Sequence, residues 1–133
     1  MELVLAVAIT GILAAVSVPR LLAAVDRLSV RGAVQDVVLA LATARAAATR
    51  RSDYISFVAD PRAGEVRIVA TGETLFRRGV VQLRGVRFEV TRESLTFAPT
   101  GLGWGAANTT IVLSRGGWSD TVTTSRLGRV RPH

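Results

Sequence analysis

Residues 2–19 read ELVLAVAITGILAAVSVP, a nearly uncharged apolar segment that follows Met1. One carboxylate, Glu2, stands at the head of an apolar run that contains no other charge and ends at Pro19. As a helix, the run from Leu3 to Pro19 is about 25 Å long, at the short end of what crosses a bilayer. A carboxylate beside lipid is costly unless it has a partner, so Glu2 is a candidate functional residue.

The helical pattern continues beyond Pro19. Leu21, Val25 and Leu28 lie on one stripe, and apolar residues between positions 34 and 48 continue the i, i+3, i+4, i+7 repeat. We therefore predict one long helix from about residue 2 to about residue 50. Pro19 removes a backbone hydrogen bond from this helix, and we predict a bend there.

After residues 52–53 the periodicity changes to short alternating runs that are broken by Gly, Pro, Asn and Asp. The predicted strands cover residues 54–58, 65–69, 74–77, 80–83, 86–90, 95–97, 109–114 and 121–125. One helix followed only by strands predicts an α+β fold, in which the helix packs on antiparallel sheet.

The composition argues against catalysis. The sequence of 133 residues has no cysteine, and its one histidine is the terminal His133, where nothing orients it. The carboxylate pairs Glu89 with Glu93 and Asp60 with Glu65 fall at strand ends and turns, where solvated charges are the rule. We expect no catalytic residue, no metal site and no cofactor, and hence no enzyme.

The chain is strongly basic. Its net charge is +7, and all 17 basic residues are arginine. Such an excess favours anionic lipid, nucleic acid or acidic partners, although a solvated basic surface is the more ordinary explanation. Trp104 and Trp118 are interpreted as packing residues, and the glycine-rich loop 100–105 lacks the lysine and the following helix of a phosphate-binding loop.

Residues 2–4, 9–15 and 18–19 resemble the N-terminal segment of type IV pilins and type II secretion pseudopilins. Residues 95–101, the strand 110–113 and residues 122–124 with the terminal Gly128-Arg129-Val130-Arg131 are similar to the GspH/FimT branch of minor pseudopilins. The resemblance implies a head of two β-sheets on the helix. It also implies assembly with other pilin-like subunits.

The resemblance suggests three segments. They are the transmembrane half of the helix (1–25), its amphipathic half (26–51), and a periplasmic β head (52–133) with a basic C-terminal tail. The arginines at 20, 27 and 31 alone would place this end of the span in the cytoplasm, whereas the resemblance implies a single-pass inner-membrane protein with the head in the periplasm.

In the family, Glu2 would pair with the methylated N-terminal amine of a neighbouring subunit. That amine is exposed when a prepilin peptidase cleaves after a glycine, which this sequence lacks. We expect the natural reading frame to begin further upstream, or the chain to be truncated; a leader, if present, makes the peptidase a partner. A cleaved secretory signal is the rival reading, but Met1-Glu2 supplies no basic start.

The resemblance leaves two functions open. The first is a minor pseudopilin at the initiation or tip of a type II secretion pseudopilus. The alternative is a minor type IV pilin that binds DNA through its tail during DNA uptake, because Arg129 and Arg131 at i and i+2 point the same way on an extended chain. Arg126 and Arg115 would extend that basic surface. Without DNA binding, the tail is an edge strand kept soluble by its charge.

Overall fold

Helix α1 (Glu2–Arg51) runs unbroken for 50 residues. The computed structural model describes residues 1–105, 107–127 and 129–132. The helix ends at Ser52, which adopts the left-handed conformation with φ 51° and donates its backbone N–H to the carbonyl of Ala48. Arg50 and Arg51 lie in the last turn, where positive charge complements the helix dipole. The predicted single helix is confirmed.

The two halves of α1 lie in different environments. Every residue from 2 to 25 is exposed, and burial begins only near residue 30. From there a stripe of small and medium side chains is buried, made up of Val30, Ala33, Val34, Val37, Ala40, Leu41, Ala44, Ala47 and Ala48. Alanine and valine keep the stripe shallow, which lets strands pack close to the helix.

Two antiparallel sheets cover the buried half of α1. The first has the strand order β3-β2-β1-β5-β6, and the second has the order β4-β7-β8-β9. The strands are β1 (Ile55–Asp60), β2 (Glu65–Ala70), β3 (Glu73–Gly79), β4 (Arg87–Val90), β5 (Ser94–Phe97), β6 (Gly103–Trp104), β7 (Thr109–Arg115), β8 (Trp118–Thr124) and β9 (Val130–Pro132). The helix contacts strands of both sheets, so the α+β prediction is confirmed.

The core lies between the helix and the two sheets. Alternation along β1 and β7 places Phe57 and Ile111 inward. Phe97 of β5 is also buried, and β5 pairs with β1 in the register Ile55 to Phe97. The inward side chains of both sheets therefore share one apolar core with the helix stripe.

One predicted strand is wrong. Residues 80–83 belong to a short helix, α2 (Val80–Arg84). The backbone N–H groups of Val80 and Val81 both donate to the carbonyl of Gly64, and Gly85 closes the turn with φ 62°. The β-branched pair favours a strand by propensity, but Gly79 and Gly85 on either side end the ladder and permit the turn.

Other strand boundaries differ from the prediction. Strand β8 begins at Trp118, so the β7–β8 hairpin turns on Gly116 and Gly117 alone. Two short strands lie at the edges of the two sheets: β6, which was not predicted, and β9, which forms in the tail where an edge strand was one of the two interpretations. Such short edge strands offer little unpaired backbone to other chains.

Candidate functional site in the exposed half-helix and the basic tail

The exposed half of α1 is the largest apolar surface in the described part of the chain. Its large side chains lie open to the surroundings, for example Leu3 at 83% and Leu13 at 62% exposure. By length and composition, α1 is the one helix among the described residues that could cross a membrane. In water, each such exposed side chain would forgo about 1.5–3 kcal/mol of burial free energy. The surface therefore fits lipid or other apolar helices.

Glu2 lies in the first turn of α1 and is exposed. Its carboxylate complements the positive end of the helix dipole. Among the described residues it forms no ion pair, and the next acidic side chain along the chain is Asp26. Glu2 is thus a lone carboxylate at one end of an apolar surface.

Pro19 lies inside the exposed half of α1, and the helix continues through it. Because proline has no N–H, the carbonyl of Ala15 lacks its usual donor four residues on. This carbonyl is a soft point in the helix, and the bend at Pro19 stays a prediction.

Two ionic clusters hold the head on α1. The upper cluster surrounds Asp36, and the lower cluster surrounds Asp26, next to the exposed half of the helix. In the upper cluster, the buried Asp36 accepts from Arg78 at 2.9 Å and from Arg84 at 3.2 Å. Gly32 makes room for this cluster, since a Cβ atom there would lie 2.8 Å from the Arg84 guanidinium. The Arg84 side chain therefore covers the helix at Gly32.

The lower cluster contains Arg115. Its side chain donates to Asp26 at 2.8 Å, to the Ser29 hydroxyl at 3.2 Å and to the carbonyl of Arg84 at 2.6 Å. We expected Arg115 to extend the basic surface of the tail, but it lies at the opposite end of the β7–β8 hairpin and is engaged with the helix. The sequence could not reveal this contact, because Asp26 and Arg115 are 89 positions apart.

The structure brings two of the other three predicted arginines, Arg129 and Arg131, together, while Arg126 lines separate clefts. Arg126, Arg129 and Arg131 are exposed, and none of them forms an ion pair within the described ranges. The backbone beneath them is held: the Arg129 N–H donates to the Ser125 hydroxyl at 3.3 Å, and its carbonyl accepts from the Ser125 N–H at 2.9 Å. The tail thus presents cations from a fixed backbone.

Arg129 and Arg131 line the same two grooves. One, of about 570 Å³, lies between α1 and β9 and includes Arg45. The other, of about 410 Å³, adds Thr123 and Ser125 to the two arginines. Guanidinium and hydroxyl donors on one surface suit an anion such as phosphate. Gly128 of the proposed tail motif and His133 lie outside the described residues.

Arg92, which the sequence analysis did not single out, lies beside Arg126. Arg92 and Arg126 line a small cleft of about 160 Å³ together with Asn108. The two arginines are far apart in sequence, so only the fold reveals their proximity.

An apolar pocket of about 510 Å³ lies near the C-terminal end of α1. Trp104 packs edge-on against Tyr54, with ring centroids 5.1 Å apart. Pro99 and Leu102 complete the apolar lining. This arrangement agrees with the interpretation of Trp104 as a packing residue.

The titratable groups give little chemistry to a reaction. The Ala63 N–H, 2.9 Å from the Asp60 carboxylate, lowers the pKa of that exposed carboxyl, with help from the Arg62 N–H and Arg67. Among the described residues, no group of three His, Cys, Asp or Glu side chains could hold a metal ion.

An exposed apolar half-helix that continues into a two-sheet head is a pilin-like architecture, and comparison with solved structures agrees. The type IV minor pilin FimU of Pseudomonas aeruginosa superposes with a TM-score of 0.68 at 19% identity, covering 80% of this chain and 90% of FimU. The minor pseudopilin EpsH from the type II secretion system of Vibrio cholerae gives a TM-score of 0.64 at 11% identity, covering 79% of this chain and 96% of EpsH.

The sequence alone gives no comparable match. No protein-family model matches it, and no curated protein matches it. At identities this low, the likeness to FimU and EpsH shows the fold. The chain has the fold of minor pilins and minor pseudopilins, as the resemblance of its residues predicted.

Proposed function

We propose that this protein is a minor pseudopilin, a structural subunit of a type II secretion pseudopilus that acts at the initiation or tip of the filament. Its exposed half-helix would anchor it in the inner membrane, with the head in the periplasm. It would assemble with other pilin-like subunits and catalyse no reaction.

One observation carries this proposal: a single unbroken helix is exposed up to residue 25, where Glu2 and Arg20 are its charged residues in a mostly apolar segment, and it is buried in the head from residue 30. Lipid covers such a surface in a membrane protein, and neighbouring helices can cover the same surface in a filament. The likeness to a pilin and to a pseudopilin supports the second arrangement.

Glu2 provides the specific contact for assembly. A lone carboxylate at the edge of lipid gains most from a cation that arrives with the next subunit, and the family resemblance points to the N-terminal amine of that neighbour. We therefore propose that Glu2 sets the axial position of the subunit in the filament.

The test of this role is a Glu2→Gln variant, which keeps the shape of the side chain and removes its charge. We expect the variant to fractionate with membranes as the native chain does, but to be depleted from filaments sheared off the cell. Glu73→Gln, a change at an exposed carboxylate in β3, is the matched control. Equal incorporation of the Glu2→Gln chain would refute the assembly role.

A second candidate function is DNA binding by a minor type IV pilin in DNA uptake. It is favoured by the three exposed arginines of the tail, which no carboxylate neutralises in the described part of the chain. Two guanidiniums above one groove could contact successive phosphates, and such binding would be insensitive to base sequence.

DNA binding can be tested on the full chain in neutral detergent micelles at several salt concentrations. If Arg129 and Arg131 each contact one phosphate, an Arg129→Ala, Arg131→Ala variant should lower the slope of log affinity against log salt by about 1.8. An Arg62→Ala, Arg87→Ala variant removes the same charge from exposed sites elsewhere. If both variants weaken DNA binding equally, net charge alone is responsible for it. If the native chain does not bind DNA even at low salt, the DNA-uptake function is excluded and the pseudopilin function remains.

A further inference from the structure

The tip of the β7–β8 hairpin lies where the head first meets the helix. Asp26 is the first partly buried residue after the exposed half of α1, and it contacts Arg115 at the end of β7. Immediately after the turn, Trp118 packs against Arg27, whose guanidinium carbon lies 5.1 Å from the centre of the ring. The hairpin tip is therefore the part of the head nearest to the exposed apolar half of α1.

The height of this tip above a membrane follows from the helix. If α1 crosses the bilayer, the exposed run that enters lipid extends past Pro19 and Arg20 to Val25, and Leu3 to Val25 spans about 34 Å, close to the thickness of a hydrocarbon core. Arg20 lies near the upper end of this run and can extend its side chain upward to the interface. Arg27 then lies about 3 Å above the core and Arg31 about 9 Å above it, within or at the edge of the headgroup layer.

The side chains at the tip match the chemistry of that layer. Arg27 and Arg31 are exposed, and Trp118 is 41% exposed. Together with Ser119 they line a cleft of about 160 Å³. Tryptophan favours the membrane interface, and arginine binds phosphate with paired donors.

One carboxylate also lines the cleft. Asp120 accepts a hydrogen bond from the N–H of Thr121 at 2.8 Å, so one of its oxygens is already directed to the backbone. The two arginines outnumber it, and the cleft keeps a positive excess.

The tip is held rigidly at this height. Arg115 joins the hairpin to the helix through Asp26 and Ser29, and Gly116 lies so close that a Cβ atom there would overlap the Asp26 carboxylate. Gly116 also has φ 58°, a conformation that favours glycine. These contacts fix the position of the tip on the helix.

We propose that the hairpin tip, consisting of Trp118 with Arg27 and Arg31 of the helix, docks on the headgroups of anionic phospholipids. Before assembly, the head would rest on the membrane surface with this edge down. The inference rests on the proposed membrane anchor and adds to it a lipid contact made by the head.

The two tryptophans provide a matched pair of reporters for a test. Trp104 lies near the other end of the buried half-helix, roughly 40 Å along α1 from Asp26, and is 60% exposed. Trp104→Phe leaves Trp118 as the sole tryptophan, and Trp118→Phe leaves Trp104. Each full-length chain is reconstituted in vesicles of three parts phosphatidylcholine to one part phosphatidylglycerol that contain a headgroup-attached quencher.

We expect the quencher to reduce the fluorescence of Trp118 at least about twofold more than that of Trp104. Adding Arg27→Gln and Arg31→Gln to the Trp104→Phe chain should reduce this quenching, as should vesicles of phosphatidylcholine alone. Arg62→Gln with Arg87→Gln, which removes equal charge elsewhere, should leave it unchanged.

Flotation of the vesicles separates the possible failures. A chain that does not float with lipid overturns both the anchor and the docking contact. A chain that floats but shows equal quenching of the two tryptophans overturns the docking contact alone. Strong quenching that is the same in phosphatidylcholine overturns the anionic headgroup as the ligand. Protection of Trp118 that appears only at high protein-to-lipid ratio would assign the tip to a second copy of the chain instead.

Discussion

Replacing Asp36 with alanine should loosen the head from the helix. Asp36 is only 6% exposed, and it joins α1 to β3 through Arg78 and to α2 through Arg84, at 2.9 and 3.2 Å. The substitution removes one carboxylate and leaves two guanidiniums without it. Each of these charge-assisted hydrogen bonds contributes about 1.5–3 kcal/mol when it is well shielded from water.

The free energy contributed by these two hydrogen bonds is smaller than this range implies, because Arg78 and Arg84 are not fully buried. Their side chains are 35% and 39% exposed, so water can solvate the released guanidiniums. We expect the free energy of unfolding of the head to fall by about 1.5–3 kcal/mol, half of the sum for two shielded bonds. The loss belongs to the folded state, since the pair bridges residues 48 positions apart.

Urea unfolding of the full chain in detergent micelles, followed by tryptophan fluorescence, measures this change. Glu89→Ala, which removes an exposed carboxylate in β4, is the control and should change stability by less than about 0.5 kcal/mol. In addition, Arg84→Ala should cost less in the Asp36→Ala background than in the native chain, because the two residues share one interaction. An Asp36→Ala effect no larger than that of Glu89→Ala would show that the Asp36 cluster does not hold the head on the helix.

Three other changes test further parts of the head. Gly64→Ala should destabilise the head by about 1–2 kcal/mol or more in thermal unfolding, since φ is +66° and the new Cβ would overlap Val81. Gly72→Ala is the control: its Cβ would meet open space, so it should cost only the backbone strain. Phe97→Ala should cost about 3–5 kcal/mol in urea unfolding, because the ring is 1% exposed. For Asp60 the lowered pKa sets the sign: its carboxylate stabilises the head above the ordinary value of 3.8, and this contribution is lost as pH falls through the lowered pKa. The native chain should therefore be more stable than Asp60→Asn at neutral pH, and this difference in stability should disappear in acid. A difference that grew in acid would contradict the lowered pKa of Asp60.

The long helix and most of the strand positions could be predicted because their signals are local. The repeat of apolar residues from 34 to 48 shows one face of a helix, and the alternation in residues 55–60 and 109–115 shows which side chains face inward. These predictions agree with the structure because the apolar side chains that form the pattern are the ones that form the core. The strand predicted at residues 80–83 was wrong because a contact distant in sequence decided the structure. The flanking glycines and the hydrogen bonds to Gly64 outweighed the strand propensity of two valines.

The contacts of the charged residues could not be predicted, because partners are chosen by the fold. Arginines are frequent throughout this chain, and nothing local separates Arg115, which is bound to the helix, from Arg129, which is exposed. The pairing of Arg27 with Trp118 likewise depends on where the β7–β8 hairpin comes to lie. Both contacts join residues that are distant in sequence.

The lower ionic cluster links anchoring to the orientation of the head. If Val25 lies at the surface of the hydrocarbon core, Asp26 and Arg115 lie within the headgroup layer, where the dielectric constant is below that of water and an ion pair is stronger than at a free surface. The same cluster holds Trp118 and Arg27 at the level where lipid phosphates lie. Extraction of the subunit into a filament would move this cluster into water and weaken it, while the buried Asp36 cluster higher on the helix would keep its environment. The upper cluster is therefore suited to hold the head on the helix in both states, and the lower one to fix the head against the membrane before assembly.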